Sequence, residues 1–268
     1  MCYYNKLMMS SIELFPSLLE RDYREASKCE DVGMGGDEGN MRELFLRSGI
    51  ALADVEASLF FRYYTELVSR NAETDLTGIV SLESVVVKHF VDSILVGKYV
   101  DLPSPLLDIG SGAGFPIIPL KICHPGLSVI LAENRKKRVA FLLDIIDILG
   151  LSGAEIYPHR VTGDFPLSVR GAITRALESI TATLSRCAPF LREGAKIIFM
   201  KGPECDQEVN AAIMGMGGYY ELFDDISYTI PETPFARRLI VFSRNDVPYH
   251  ADTHDKNHRH HERPERSI

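Results

Sequence analysis

The chain has 268 residues, of which 46% are hydrophobic and 25% charged, and it carries a net charge of −8. That composition suits a globular protein with one large α/β domain and a smaller appendage. No apolar run approaches the roughly 20 residues of a membrane span, and five scattered cysteines without a Cys-x-x-Cys pair exclude a disulfide framework and a structural zinc site.

In chain order, residues 1–19 have one early Lys and no continuous apolar core, so they do not read as a signal peptide. With the reduced-cysteine pattern, this predicts a cytoplasmic protein. Residues 1–40 read as a flexible extension, because Cys29–Asn40 is Gly-rich and acidic. Met34 and Met41 are candidate translation starts. A helical segment is expected over 41–100. Its first clear helix runs from Asp54, taken as N-cap, to Asn71, with Leu59, Phe60, Tyr63, Tyr64 and Leu67 at helical spacing. A second helix is expected over Ser81–Val100, against the β-branched run Val85–Val87.

From Leu106 the pattern changes to short apolar strands alternating with helices, the signature of a mostly parallel sheet. Strands are expected near 105–109, 128–132, 154–158, 171–174, 195–200, 219–228 and 238–243. Helices are expected near 116–123, 135–149, 178–190 and 204–214. The last two strands have only "TIPETPFAR" between them, which predicts an antiparallel edge hairpin. The α/β domain is thus bounded at 101–245. Residues 246–268 hold five of the eight histidines and read as a disordered tail that binds metal adventitiously at most.

The chemistry centres on "LLDIGSGAGFPIIPL", Leu106–Leu120. A dinucleotide loop wants Gly-x-Gly-x-x-Gly. Gly110, Gly112 and Gly114 instead alternate, and Phe115-Pro116 follows. The ring would crowd a pyrophosphate, and Pro116 lacks an amide donor. Asp108 ends the first strand and Glu133 the second, where a carboxylate can accept the ribose hydroxyls of an adenosine. The pattern favours S-adenosylmethionine over a dinucleotide or a structural turn. Asp108 is read as half structural, binding amides of its own loop while supporting the cofactor. The basic groups Arg135–Arg138 and, less so, Arg237–Arg238 are either solvated or set against nucleic-acid phosphates. An acidic protein with such patches can still bind RNA.

Several motifs together resemble one family, the bacterial 16S rRNA guanine-N7 methyltransferases known as RsmG or glucose-inhibited division protein B. They are "NAETDLTGIVSLESVVVKHFVDSI" (Asn71–Ile94), the cofactor loop with its Gly-Phe-Pro, "NRKKRVAFL" (Asn134–Leu142), "ITRAL" (Ile173–Leu177) and "FMKGP" (Phe199–Pro203). The resemblance spans Asp54 to Arg244. It implies a class I S-adenosylmethionine-dependent methyltransferase fold, Rossmann-like, with a seven-stranded, mostly parallel sheet, an antiparallel edge hairpin and an N-terminal helical cap. It implies methylation of a guanine N7 in 16S rRNA or the small ribosomal subunit; nothing in the sequence requires more than a monomer or a membrane partner. It makes Gly110, Phe115, Val161, Thr162 and Arg175 cofactor contacts, beside Asp108, Gly112, Gly114 and Glu133. Thr162 stands where the family usually has a Glu, and Asp75 stands for Asn in the "NLT" turn, an exchange expected to be tolerated.

Guanine N7 has a free lone pair in the base plane, so no general base is needed and none is assigned. Catalysis then rests on placement and local field. Lys201, Arg175 and His89 are the candidate substrate contacts, with no metal. His89 and Asp92, three apart on one helix face, are expected to bond to each other or to anchor the helix. The rival readings are a class I methyltransferase on another acceptor and a non-catalytic rRNA-binding assembly factor.

Overall fold

A computed structural model describes residues 35–249, with side chains from Asp37 onward. Chain contacts separate residues 1–37 from 38–268, and the architecture below is that of the second unit. The expectations for the first 34 residues and for the His-rich tail from His250 lie outside the described residues.

Seven strands make one sheet: β1 (Leu106–Ile109), β2 (Val129–Ala132), β3 (Ala154–Tyr157), β4 (Gly171–Arg175), β5 (Lys196–Lys201), β6 (Tyr220–Thr229) and β7 (Ala236–Arg244). Their order is β3-β2-β1-β4-β5-β7-β6. The first five are parallel, and β7 runs antiparallel to both β5 and β6. The chain winds outward from β1 to β3 and then returns to β4 on the other side of β1. That reversal opens a crevice above the carboxyl ends of β1 and β4, where ligands bind in such sheets.

The inner strands read as unbroken apolar runs because both faces are covered. Leu106, Ile173, Ile198, Leu239 and Val241 enter one core, with the N-terminal helices, α5 (Ile117–Cys123) and α6 (Lys136–Ile148). Their strand neighbours Leu107, Ala172, Ile197, Ile240 and Phe242 enter the other, with α7 (Ile180–Cys187) and α8 (Asp206–Met216). By this alternation Asp108 and Arg175 point to the first face.

The N-terminal helices are α1 (Gly35–Arg47), α2 (Asp54–Thr74), α3 (Leu82–Val85) and α4 (Asp92–Tyr99), with a π-helical turn over Val86–Val91 joining the last two. An aromatic cluster binds them together. Phe45 and Phe90 each lie 5.0 Å from Phe60, and Tyr63 lies 5.3 Å from Phe90, centroid to centroid. All four are fully buried, and each such ring contributes about 1.5–3 kcal/mol by leaving water.

Three local expectations are corrected. Helix α1 starts at Gly35, so 35–40 are helical where the Gly-rich composition predicted linker. The α2 N-cap is Ala53, not Asp54: the Ala53 N–H donates to the Glu56 carboxylate at 2.8 Å, and Asp54 sits in the first turn. The helix expected over Ser81–Val100 is interrupted by the π turn, which absorbs the β-branched run.

Candidate functional site

Above the carboxyl ends of β1, β2 and β4 lies a cavity of about 580 Å³. Its floor is the β1–α5 loop. Gly110, Gly112 and Gly114 all have positive φ, at 79°, 61° and 99°, which is open to glycine and strained for other residues. At Gly112 the open conformation turns the N–H onto Glu133 Oε2 at 3.1 Å. At Gly114 the space is also closed: a Cβ would stand 2.3 Å from Ile118 Cδ1 and 2.9 Å from Tyr63 Oη.

Glu133 is buried at the end of β2. Its other oxygen accepts the N–H groups of Asn134 at 2.8 Å and Arg135 at 2.9 Å. Three backbone donors fix the carboxylate at the cavity wall. A carboxylate has about four lone-pair sites, so acceptor capacity remains.

Beneath the loop, Phe115 is the hub of a second cluster. His89 stacks on its ring at 4.5 Å, Tyr63 lies at 5.5 Å, and the Arg175 guanidinium lies at 5.3 Å. The Tyr63 hydroxyl donates to the Ala113 carbonyl at 2.5 Å. Arg175 meets His89 Nδ1 at 3.0 Å, and Thr77 Oγ1 meets His89 Nε2 at 2.9 Å. Nδ1 faces both the Arg175 guanidinium, which only donates, and the Lys88 carbonyl at 3.1 Å, which only accepts. Burial, and then the Arg175 charge, push His89 down to about 4, so the imidazole is neutral near pH 7.

The structure gathers Gly110, Gly112, Phe115, Glu133, Val161, Arg175 and His89 around this cavity. It leaves four of the anticipated residues off its wall. Gly114 lies behind the floor, closed in by Ile118 and Tyr63. Thr162 is exposed, and its hydroxyl turns to Asp164. Lys201 is held by Glu208 at 2.8 Å and by the Glu178 carbonyl at 3.1 Å. Asp108 is fully buried with neither carboxylate oxygen hydrogen-bonded. The expected bonds from loop amides are absent, because Gly110 and Ser111 turn their N–H groups to the Ala132 carbonyl. Burial pushes the Asp108 carboxyl up to about 8.

The basic groups divide. Lys137 and Arg138 donate to the Glu73 and Asp75 carbonyls at 2.9 and 3.0 Å, closing the end of α2. Arg238 is clamped by Asp206 and Asp225, and Arg237 by Asp92. Arg135 stays exposed at the mouth with His159 and Arg160. Sequence reasoning missed His159 and Arg160. Their position at the carboxyl end of the third parallel strand was the available signal. It also missed Arg186, whose guanidinium spans the Glu178 carboxylate and the Val161 carbonyl. Glu178 precedes the helix that carries Arg186, so no neighbouring pair three or four residues apart marks the contact.

The residues fit an adenosine-type, phosphate-free cofactor. A carboxylate held by main-chain amides stands at the second strand, a buried carboxyl without a partner lies below, and Pro116 takes the N-cap of α5 where a phosphate site needs an N–H. Among the described residues, no group of His, Cys, Asp and Glu is arranged to hold a metal ion, and no helix is long and apolar enough to cross a membrane.

Comparison with known proteins supplies the rest. The family model of rRNA small subunit methyltransferase G, GidB, matches residues 56–216. "Ribosomal RNA small subunit methyltransferase G 2" of Syntrophobacter fumaroxidans is 44% identical over 218 residues, covering 81% of this chain and 43% of that protein. The chain thus spans less than half of that relative's length. The protein of the same name from Bdellovibrio bacteriovorus is 40% identical over 182 residues, covering 68% of this chain and 71% of the other. A methyltransferase structure from Pyrococcus furiosus superposes with a TM-score of 0.50 at 14% identity, over 69% of this chain and 98% of that one, a likeness of fold alone. The family model covers more than half of the chain and the Bdellovibrio match more than two thirds of both proteins, so the chain belongs to the rRNA small subunit methyltransferase G family.

Proposed function

We propose that this protein transfers a methyl group from S-adenosylmethionine to N7 of a guanine in 16S rRNA, acting on the small ribosomal subunit or its precursor in the cytoplasm. The observation that carries the reading is the family membership joined to a phosphate-free cavity at the switch point of the sheet. The choice of N7 rests on the motif resemblance.

S-adenosylmethionine supplies an electrophilic methyl carbon on a sulfonium. Glu133, fixed by the amides of Gly112, Asn134 and Arg135, is positioned to accept hydroxyl donors. Gly110, Gly112, Phe115 and Val161 shape the walls, and Arg175 brings a positive charge to the same space. Asp108 lies below the loop as a buried carboxyl that burial keeps protonated near pH 7. N7 attacks with its own lone pair, so the protein's work is placement and exclusion of water. Exposed Arg135, His159 and Arg160 ring the mouth in a protein of net charge −8, which suits an RNA phosphate backbone at that face.

The test is transfer of tritiated methyl groups to small subunits from a strain lacking its own enzyme, with mapping of the labelled base. Label on one guanine N7 supports the reading. Cofactor binding without label on 16S rRNA moves the activity to another acceptor or to a binding protein.

A further inference from the structure

The "KHFVDS" segment, Lys88–Ser93, places two side chains on one guanidinium. His89 lies in the π turn and Asp92 opens α4. They do not bond to each other. His89 Nδ1 meets Arg175 Nη2 at 3.0 Å, and Asp92 Oδ2 lies 3.7 Å from Nη1. The carbonyl of Lys88, in the same turn, lies 3.5 Å from Nη1, and the Phe115 ring covers another side. A π turn is the local device that lets a helix offer such contacts off its regular spacing.

We infer that His89 and Asp92 are positioning residues for Arg175. They hold its guanidinium at the cavity wall so that it meets the bound cofactor without first being ordered. The inference rests on the reading that this cavity takes S-adenosylmethionine.

Three observations carry it. Arg175 keeps a fifth of its side-chain surface exposed to the cavity, while Asp92 is 4% exposed and reaches no cavity itself. Asp92 is fixed from behind, since its Oδ1 accepts the Tyr228 hydroxyl at 2.9 Å and its Oδ2 also meets Arg237 at 3.4 Å. Two guanidinium groups therefore share one carboxylate, and the third partner, His89, is uncharged near pH 7. The cluster keeps a surplus positive charge, and the exposed part of Arg175 presents it to the cavity. An arginine loses rotamer freedom when fixed, and this cluster meets that cost before any ligand arrives.

The test is calorimetric titration of the full-length protein with S-adenosylhomocysteine, with thermal melting as a control for folding. Asp92→Asn keeps an oxygen for Tyr228 and removes the charge, and it is expected to weaken binding about tenfold. Arg175→Ala is expected to weaken it at least as much. The double variant should bind like Arg175→Ala alone, because Asp92 acts only through Arg175. His89→Leu should behave as Asp92→Asn does, while His89→Gln, which keeps an acceptor oxygen, should recover most of the affinity. Additive losses in the double variant, or unchanged binding by a folded Asp92→Asn, overturn the inference. Should Asp92→Asn not fold, the cycle between His89→Leu and Arg175→Ala decides by the same criterion. If the wild-type protein fails to bind S-adenosylhomocysteine, the cofactor reading itself falls and takes the inference with it. Binding that is intact but insensitive to these changes sinks the positioning role alone.

Discussion

Asp108 and His89 sit on the same face of the sheet and pull the pH dependence of folding in opposite directions. Burial pushes the Asp108 carboxyl up to about 8, whereas its ordinary value is 3.8. The folded protein binds the extra proton between those values. The stability linked to Asp108 is therefore complete below about pH 4 and is lost as pH rises toward 8. For His89 the order is reversed: burial and Arg175 push it down to about 4 from 6.5. Its contribution is complete above pH 6.5 and is lost as pH falls toward 4. Melting followed across pH should show Asp108→Asn gaining on wild type between pH 5 and 8, by on the order of a few kcal/mol at the top. Parallel curves would remove the buried carboxyl as the cause. In the same experiment His89→Gln should flatten the fall between pH 6.5 and 4, which spans roughly 3 kcal/mol in wild type.

Short elements do much of the site's work, and how far each was legible depends on how local its cause is. Gly114 closes the β1–α5 loop where φ is 99° and where Ile118 and Tyr63 leave no room for a Cβ. Gly114→Ala should cost about 2–3 kcal/mol and lower both the unfolding midpoint and cofactor affinity. The clasp from α6 to α2 is milder: Arg138→Gln gives up one bond to the Asp75 carbonyl at a half-exposed site. A fall in melting temperature of about 2–4 °C is expected. Asp75, at φ 51°, is the left-handed C-cap of α2, donating to the Asn71 carbonyl at 3.0 Å. That position favours Asn and accepts Asp, which gives the Asp-for-Asn exchange its physical basis. The seven strands, their hairpin ending and the glycine loop were legible because alternation and turn residues are written locally. The π turn was not, since Val85–Val87 reads equally as strand or helix, and packing against Phe115 and Arg175 settles it. Lys201 could be placed at a strand end by sequence. Its capture by Glu208 depends on where α8 docks, which no local pattern states.

At the scale of the whole molecule, Asp92 ties the chain's early helices to its last strands. Its partners Tyr228 and Arg237 lie 136 and 145 residues away. Asp92→Ala strands two guanidinium groups and a phenol around an emptied buried site, so unfolding by urea should show a loss of about 3–5 kcal/mol. A loss under 1 kcal/mol would mean the cluster is wetter than its burial indicates. The same long-range join gives the protein a timetable during its own synthesis. Strand β7 is the last strand made, yet it lies inside the sheet between β5 and β6. A chain still emerging from the ribosome can form β1 to β5 and the glycine loop. The anchor of Asp92 is complete only once both Tyr228 and Arg237 have been added. A nascent copy therefore carries the floor of the cavity with Arg175 held through an Asp92 not yet fully anchored, and the finished site dates from the moment the final strand slots home.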